Sequence, residues 1–512
     1  MQIKPFVGLA CAVWLGAGIA AAQEPGEVES LKRQLRQLQE QFEKQQQLQR
    51  QQLDALTRQI ESLQAARPPA SNAPPAASVS TANPSVTTAV RPATEPVSAP
   101  VGIEKSGSPA EPLRVRRGPA FLDLSLDALM TIGGSSAADL SKLQPGGHDP
   151  KQRGFTLQNL ETVFSGAVDP YFRGQANLIY QLDSSGASVV EVEEAYAETS
   201  SLPGNLQLRA GQFLTDFGRL NTQHPHAWSF VDLSLVNARF LGGDGLRNLG
   251  ARISWLVPTP FYSELFLGVQ NSHGDTAFSF RSEHGGALFA GRPANVGNFR
   301  SGADLLFTPR YQASFDLTDA QTLVLGASGA VGPNSSGSDT RTEILGADLF
   351  WKWKPANHSG GFPFVSWQTE VMLCRYEAGA FSNAADDTDG NGAINGTELD
   401  RFGDLSVRRL ARETLVDYGL YSQVAWGFRK GWIAALRGDW LDSRRAAYEK
   451  LFGPDADRAA RWRVSPNLTW LPSEFSKVRL QYNYDHRQLV GVDHSVWLQF
   501  EFSLGAHAAH KF

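Results

Sequence analysis

The sequence predicts an all-β transmembrane barrel of about sixteen antiparallel strands, preceded by an α-helical coiled coil. Two observations predict the barrel. From residue 118 onward, apolar and polar residues alternate with period two in one segment after another, and the spacers between these segments are alternately short and long. An even number of such strands with short turns at one end and long loops at the other is typical of membrane-spanning barrels. A soluble β-sandwich remains the alternative.

The first residues predict a signal peptide over residues 1–22. Lys4 supplies the positive charge, an apolar run covers residues 6–19, and Ala20–Ala22 form a small-residue cleavage site. We therefore expect an exported protein, with an uncleaved anchor as the alternative. No later stretch approaches the ~18 consecutive apolar residues of a membrane-spanning helix.

Cysteine content and charge exclude several classes of protein. Cys11 leaves with the signal peptide, so Cys374 has no partner within the chain. A disulfide-stapled fold and a cysteine-based zinc site are excluded, and we expect Cys374 to be a buried or barrel-wall residue. The net charge of −5 gives no indication of a nucleic-acid partner.

Residues 23–66 predict a coiled-coil helix in the periplasm. They are rich in Gln, Leu, Arg and Glu, and apolar residues follow a heptad rhythm with one four-residue stutter. The apolar positions are Val28, Leu31, Leu35, Leu38, Phe42, Leu53, Leu56, Ile60 and Leu63. An isolated polar helix of this length is marginal in water, so self-association is favoured over a single frayed helix. Residues 67–117 are rich in Pro, Ala and Ser and predict a disordered linker.

Residues 118–512 predict the barrel. The segment FLDLSLDALMTI illustrates its pattern: Leu122 and Met130 fall on one face, Asp123 and Asp127 on the other. Tryptophans at predicted strand ends indicate aromatic girdles: Trp255, Trp353, Trp432 and Trp470. One misfit is Glu194, which falls on the nominal lipid face and predicts either a bulge or a position high on the barrel wall.

If the apolar face meets lipid, the other face lines a lumen. The basic residues predicted to line the pore are Arg173, Arg209, Arg252, Arg310, Arg437, Arg463, Lys477 and Arg479, and the acidic ones are Asp127, Asp316, Asp439, Asp485 and Glu501. Charges of one sign around a pore bias its ion selectivity, and the arginine excess favours anions. The alternative is that these charges pair with one another and only hold the wall rigid.

The third long spacer, residues 218–245, predicts a loop that folds inward and narrows the pore. Its charged or titratable candidates are Arg219, His224, His226, Asp232 and Arg239. His224 and His226 flank Pro225, so a metal site is one interpretation. Loop packing or hydrogen bonding by these histidines is the other.

A calcium loop is predicted in the sixth long spacer. The segment DTDGNGAINGTE, residues 387–398, matches the twelve-residue loop of an EF-hand. The oxygen ligands for Ca²⁺ are expected from Asp387, Asp389, Asn391, the carbonyl of Ala393, Asn395 and Glu398. Since no helix pair flanks this loop, we expect a structural calcium site of Kd about 10⁻⁴–10⁻³ M on the exterior. An acidic, glycine-rich loop without calcium is the alternative.

Calcium is expected to protect this segment from proteolysis, because a bound ion holds the turn in one conformation. The measurement is limited proteolysis of the protein with calcium and with a chelator. Equal cleavage under both conditions would exclude the site.

The stretch VEEAYAETSSLPGNLQLRAGQFLTDFGRLN, residues 192–221, resembles the acidic-strand, tight-turn, LRxGQF hairpin of the phosphate-selective porins of bacterial outer membranes. The resemblance covers residues 120–512 in layout and this hairpin in residues. It implies a helical segment ahead of a sixteen-stranded trimeric barrel. In that family arginines and lysines form a phosphate path, for which this chain offers only the arginines named above.

These observations favour a non-enzymatic porin in the Gram-negative outer membrane, giving passive diffusion of small polar, anionic solutes. The predicted partners are outer-membrane lipid, two further copies of the chain, and peptidoglycan or another periplasmic contact through the coiled coil. A selective channel for a metal or metal complex and a barrel-anchored surface scaffold or adhesin remain alternatives. A barrel enzyme needs a Ser-His-acid set, and no motif locates one.

Overall fold

The computed structural model describes residues 102–104, 111–183, 186–200, 202–281, 288–294, 299–382 and 409–505. The chain divides into two units, Met1–Glu95 and Pro96–Phe512, and all described residues belong to the second. The predicted signal peptide, coiled coil and calcium loop lie outside the described residues, as does most of the predicted linker. They stay predictions.

Strands account for most of the described chain. Their bounds are β1 Gly102–Glu104, β2 Leu113–Arg117, β3 Ala120–Ser135, β4 Gly154–Ala167, β5 Phe172–Leu182, β6 Ser188–Thr199, β7 Leu206–Leu214, β8 Arg247–Leu256, β9 Tyr262–Gln270, β10 Leu288–Phe289, β11 Arg292–Pro293, β12 Leu306–Thr318, β13 Gln321–Pro333, β14 Arg341–Trp353, β15 Phe364–Ala378, β16 Phe381–Ser382, β17 Arg409–Leu410, β18 Glu413–Arg429, β19 Trp432–Ser443, β20 Arg461–Ser473, β21 Ser476–Arg487 and β22 Gly491–Leu504. The α-helices are α1 Leu140–Leu143, α2 Leu235–Leu241 and α3 Glu449–Phe452, and the 3₁₀ turns are Pro203–Asn205, Pro225–Ala227, Asp275–Ala277 and Gly302–Asp304.

Sixteen of the described strands close into a barrel: β3–β9, β12–β15 and β18–β22. Each pairs antiparallel with its neighbours, and β22 pairs with β3 to close the sheet, with Leu498 opposite Ile132. The strand β2 pairs with the first residues of β3, beyond the part of β3 that pairs with β22. Leu113 of β2 lies opposite Leu124 of β3. The two-stranded ladders β10–β11 and β16–β17 lie in the long connections. The predicted sixteen-strand barrel is confirmed.

The longest connections lie at one end of the barrel, as predicted, but strict alternation fails where 183–187 is shorter than 200–205 and 334–340 is shorter than 354–363. At one end, the short-turn end, the connections cover residues 168–171, 200–205, 257–261, 319–320, 354–363, 430–431 and 474–475. At the other, the long-loop end, they cover residues 136–153, 183–187, 215–246, 271–305, 334–340, 379–412, 444–460 and 488–490. The last differs from the prediction of a longer loop at 486–493, because β21 and β22 keep their pairing out to Arg487 and Gly491.

The two faces of the wall differ as the alternation predicts. On β3, Leu122 and Met130 are each 45% exposed on the outside, whereas Asp127 is fully buried inside. The four predicted girdle tryptophans all lie in β8, β14, β19 and β20 near the short-turn end, where Trp432 stacks on Trp470. A closed barrel satisfies its backbone hydrogen bonds internally, and a contiguous apolar outer band is stable against lipid, not water. None of the described helices is long and apolar enough to cross a membrane.

The predicted bulge at Glu194 is present in β6. Asn177 of β5 pairs with Glu194, while the next residue, Leu178, pairs with Val192, so Glu193 is the extra residue. This irregularity turns Glu193 and Glu194 away from lipid, and both are at least 95% buried. The bulge thereby places two adjacent carboxylates at the lumen side of the wall.

Leu480, on the outer face of β21, allows a prediction about the stability of the barrel. Leu480 is 51% exposed and lies between Leu468 and Leu498 of the neighbouring strands. Leu480→Arg is expected to lower the free energy of unfolding by about 2–4 kcal/mol, because a charge near the bilayer midplane loses its hydration. The matched control is Leu489→Arg, which changes an equally exposed leucine in the turn 488–490. Denaturant unfolding in liposomes should separate the two variants; equal losses would place Leu480 outside the apolar band.

Candidate functional site

The connection between β7 and β8, residues 215–246, folds into the barrel; we call it the inner loop. Its first turn is held by Glu370 of β15. The Oε1 atom of Glu370 accepts hydrogen bonds from the backbone N–H groups of Arg219 and Leu220 at 3.0 and 2.7 Å. Gly218 permits this contact: it has a φ of 59°, and a Cβ there would lie 2.2 Å from the other Glu370 oxygen. The predicted inward fold of this loop is therefore present.

Asp232 is the main polar anchor of the inner loop. Its carboxylate accepts hydrogen bonds from Arg437 at 2.6 Å and from Arg463 at 2.9 Å, on β19 and β20. Gln481 and Asn483 of β21 donate at 3.0 and 2.8 Å. Burial alone would raise the pKa of Asp232, but the two guanidinium groups outweigh it and lower this pKa to about 2. A fixed negative charge thus ties the loop to three strands.

The helix α2 fills the barrel next to this anchor. Ser234 caps it, accepting a hydrogen bond from Asn237 N. Apolar side chains of the helix pack against apolar side chains on the inner face of the barrel wall. Buried apolar residues of this cluster include Leu235, Val236, Phe240, Leu241, Ile344, Met372, Cys374 and Tyr421. Each large side chain buried here contributes roughly 1.5–3 kcal/mol, so the loop is held by apolar packing as well as by charge. Cys374 is buried, as predicted.

Two further bonds fix the ends of α2. The Leu235 N–H donates to Asp439 of β19 at 3.0 Å. Arg239 donates to Asp417 of β18 at 3.0 Å. Both ends of this helix are thus bonded to the same side of the barrel.

The loop descends deepest beside β20–β22. Lys477 of β21 donates to the backbone oxygen of His226 at 2.8 Å, and also contacts Glu501 of β22. Arg479 donates to the backbone oxygen of Trp228 at 2.9 Å. Since Lys477 is the second residue of β21 from the short-turn end, the loop spans most of the barrel height along this wall.

The predicted histidines meet three buried carboxylates. His224 Nδ1 lies 2.6 Å from Glu193 and its Nε2 lies 3.0 Å from Glu194. His226 Nδ1 lies 3.1 Å from Glu161 of β4. Burial alone would lower the pKa of His224, but Glu161 and Glu193 outweigh it and hold the pKa well above its ordinary value. The geometry is that of hydrogen-bonded histidines; metal binding by them stays a prediction.

An arginine row crosses the short-turn half of β5–β8. Arg173 of β5, Glu198 of β6, Arg209 of β7 and Arg252 of β8 are directly opposite one another in successive strand pairs. The Glu198 carboxylate lies 2.6 Å from Arg173, 2.9 Å from Arg209 and 3.9 Å from Arg252. Arg252 also lies 3.4 Å from Asp216. Three guanidinium groups therefore share two carboxylates, and Glu198 is buried behind them.

Two more arginines lie near this row. Arg310 of β12 donates to Asp348 of β14 at 2.6 Å. The Arg219 guanidinium lies 3.8 Å above the ring of Phe350, and no ion pair of Arg219 occurs among the described residues. In a sixteen-strand barrel β12 lies across from β22, opposite the wall that the inner loop follows.

The predicted lumen residues thus fall into two groups. One group binds the inner loop directly: Arg437, Arg463, Lys477, Arg479 and Asp439. Asp485 does so indirectly, because it bonds Arg463 at 2.6 Å. Arg173, Arg209 and Arg310 make no ion pair with the inner loop among the described residues, and Arg252 contacts only its start, at Asp216. Asp127 bonds Ser503, and Asp316, exposed near the short-turn end, accepts from Thr322 at 3.1 Å. The calcium-type ligands of residues 387–398 lie in the part of the chain that the structure leaves undescribed.

Sequence reasoning missed Glu161, Glu193, Glu198 and Glu370, four of the carboxylates that organise the lumen. The signal for Glu193 was present in the acidic run of β6, whose alternation breaks at Glu194. Glu370 gives no such signal, because only its pairing with a loop some 150 residues earlier makes it important.

No family model matches the chain. An uncharacterized protein of Aquifex aeolicus (strain VF5) is 29% identical to it over 401 residues, which cover 72% of this chain and 73% of that protein. The relationship extends across most of both chains and brings no assigned activity.

The solved structures that resemble the chain are outer-membrane proteins. The channel DcaP of Acinetobacter baumannii is 13% identical, with a TM-score of 0.45, over 76% of this chain and 98% of its own. OmpF of Salmonella typhi is 12% identical, with a TM-score of 0.41, over 75% and 98%. The trimer form of OmpT from Vibrio cholerae is 7% identical, with a TM-score of 0.43, over 75% and 99%. At this similarity no function transfers, and membership of the phosphate-selective family and the homotrimer stay predictions.

Proposed function

We propose that the protein is a passive channel of the outer membrane for small polar, anionic solutes. A barrel whose apolar face is outside and whose charged face is inside can span a membrane around a polar interior. The proposed solute path runs along the short-turn half of the wall from β5 to β12, on the side of the barrel away from the deepest part of the inner loop. The arginine row lies on this wall.

The proposed anion preference is based on the arginine row. Arg173, Arg209 and Arg252 share the carboxylates of Glu198 and Asp216, and Glu264 of β9 lies near Arg252. The Arg173 side chain is 59% exposed whereas that of Glu198 is 6% exposed. Solutes in the lumen therefore approach the guanidinium groups before the carboxylate. A guanidinium also presents several N–H donors in one plane, which suits carboxylate and phosphate oxygens.

Planar-bilayer recording of the purified protein tests both parts of the proposal. We expect stable open steps, and in asymmetric KCl a zero-current potential of the sign set by preferential chloride passage. Absence of open steps would remove the channel function in favour of a barrel-anchored scaffold. Open steps with a cation-type potential would retain the channel and remove the anion preference.

A further inference from the structure

We propose that His148, Glu191 and Asp244 form a binding site for a divalent transition-metal cation. These three residues come from separate segments: the first long loop, the start of β6 and the end of the inner loop. One ligand atom from each lies within 4.8 Å of the others. The site does not include the arginine row of the proposed solute path; it adjoins the cluster of His224, because Glu193 lies 3.5 Å from His148 and 2.6 Å from His224.

Two of the three ligand groups, His148 and Asp244, have buried polar atoms without a hydrogen-bond partner in the described chain. His148 is 2% exposed, and neither ring nitrogen makes a hydrogen bond within the described part of the chain. The nearest carboxylate oxygen, Oε1 of Glu193, is 3.5 Å from Nε2, too far for a strong hydrogen bond. Asp244 Oδ1 is likewise buried and without a partner among the described residues. A buried polar group with no partner costs free energy, and a bound ion removes this cost.

There is room for an ion beside two of the three ligands. A cavity of about 20 Å³ is lined by His148 and Asp244, with Glu193 and residues of the inner loop; Glu191 lies outside this lining. A volume of roughly 10–15 Å³ is enough for one water molecule, so a single cation fits. The enclosing backbone is tightly packed, since a Cβ at Gly147 would lie 1.5 Å from Asp244 Oδ1.

The neighbouring cluster around His224 differs, because its polar atoms have hydrogen-bond partners. There, both nitrogens of His224 and the carboxylates of Glu193 and Glu194 already bond one another. That cluster needs no ion to satisfy its polar atoms. At the proposed site Arg247 neutralises only Glu191, at 2.9 Å. The carboxylate of Asp244 makes no ion pair with a described arginine or lysine.

The donor set selects the class of metal. One imidazole nitrogen with two carboxylates suits Zn²⁺ and its first-row neighbours, whereas Ca²⁺ and Mg²⁺ prefer oxygen donors alone. A bound cation would join the first long loop and the inner loop to β6. These segments already meet where Gly147 N donates to Gly243 O at 2.8 Å. The ion would thus hold the end of the inner loop at the long-loop end of the barrel.

The test is calorimetric titration of Zn²⁺ into the full chain, purified in detergent, with excess Ca²⁺ to occupy sites made of oxygen alone. We expect one Zn²⁺ per chain at this site, and a higher unfolding temperature with Zn²⁺ than with a chelator. His148→Gln and Asp244→Asn should each weaken binding at least about 100-fold, more than loss of an outer-shell partner does. His486→Gln, on the outer face beside Trp462, should bind as the unchanged protein does.

The Zn²⁺ titrations of the variants and of the unchanged protein distinguish the proposed site from the alternatives. Both variants must retain the heat-modifiable gel mobility of a folded barrel, and two substitutions guard against one that fails to fold. Zn²⁺ binding that persists in folded His148→Gln and Asp244→Asn would overturn the proposal and place the ion elsewhere. Absence of Zn²⁺ binding by the unchanged protein would also overturn it. Neither outcome affects the test of the channel function by conductance.

Discussion

Asp232→Ala is expected to release the inner loop and lower the stability of the barrel. The substitution leaves Arg437 and Arg463, each 1% exposed, without their shared carboxylate. Arg437 keeps Asp439 and Arg463 keeps Asp485. The expected cost is therefore about 1.5–3 kcal/mol, as for lost hydrogen bonds to a charged group, and less than that of a buried charge left unpaired. Single-channel conductance should rise at the same time, since the loop loses the bonds that the Asp232 side chain makes to β19, β20 and β21. The measurements are denaturant unfolding and single-channel recording on the same preparation.

The control for this variant is Asp316→Ala. Asp316 also carries a negative charge on the lumen side of the wall, but it is exposed and bonds only Thr322 in the described structure. Its removal should change the unfolding free energy by no more than about 0.5 kcal/mol, the usual range for a surface substitution. If both variants behaved alike, the loop would depend on the apolar packing of α2 and not on Asp232.

Arg209→Gln is expected to reduce the anion preference of the channel. It removes one of the three guanidinium groups around Glu198 and leaves Arg173 bonded to that carboxylate at 2.6 Å. A unit charge 4 Å from a passing ion changes its energy by about 1 kcal/mol in water. The permeability of the anion alone should therefore fall about fivefold at low salt, and the anion-to-cation ratio by at least as much, with smaller changes at high salt because of screening.

Arg375→Gln provides the matched control for the charge. Arg375 pairs with Glu343 on the outer side of β14 and β15, at 3.2 Å, away from the lumen. Zero-current potentials in asymmetric KCl should match those of the unchanged protein for Arg375→Gln and move toward zero for Arg209→Gln. A shift of the same size in both variants would show that the preference arises from overall charge and not from the arginine row.

The charged residues of the lumen illustrate what pattern and packing each contribute. Alternation along β19–β21 placed Arg437, Arg463 and Arg479 on the inner face, and the structure has them there. Alternation did not reveal that they bind a loop from the opposite part of the chain. Asp232 and Arg463 are 231 residues apart, and no local pattern records such a pair. For the same reason the alternation did not predict the apolar inner face near Ile344 and Met372, because it assigns polar residues to the lumen side of every strand.

The sequence by itself determined the barrel: its strand number, the end that carries its longest connections, its two faces and the bulge of β6. The physical reason is local, since period two follows from strand geometry and lipid accepts only apolar side chains on the outer face. Tertiary structure alone decided which arginines pair with carboxylates of the wall and which bind the inner loop. It also decided that His148, rather than His224 or His226, is the buried histidine left without a hydrogen bond in the described chain. These outcomes depend on contacts between distant segments, which form only when the barrel closes around its loop.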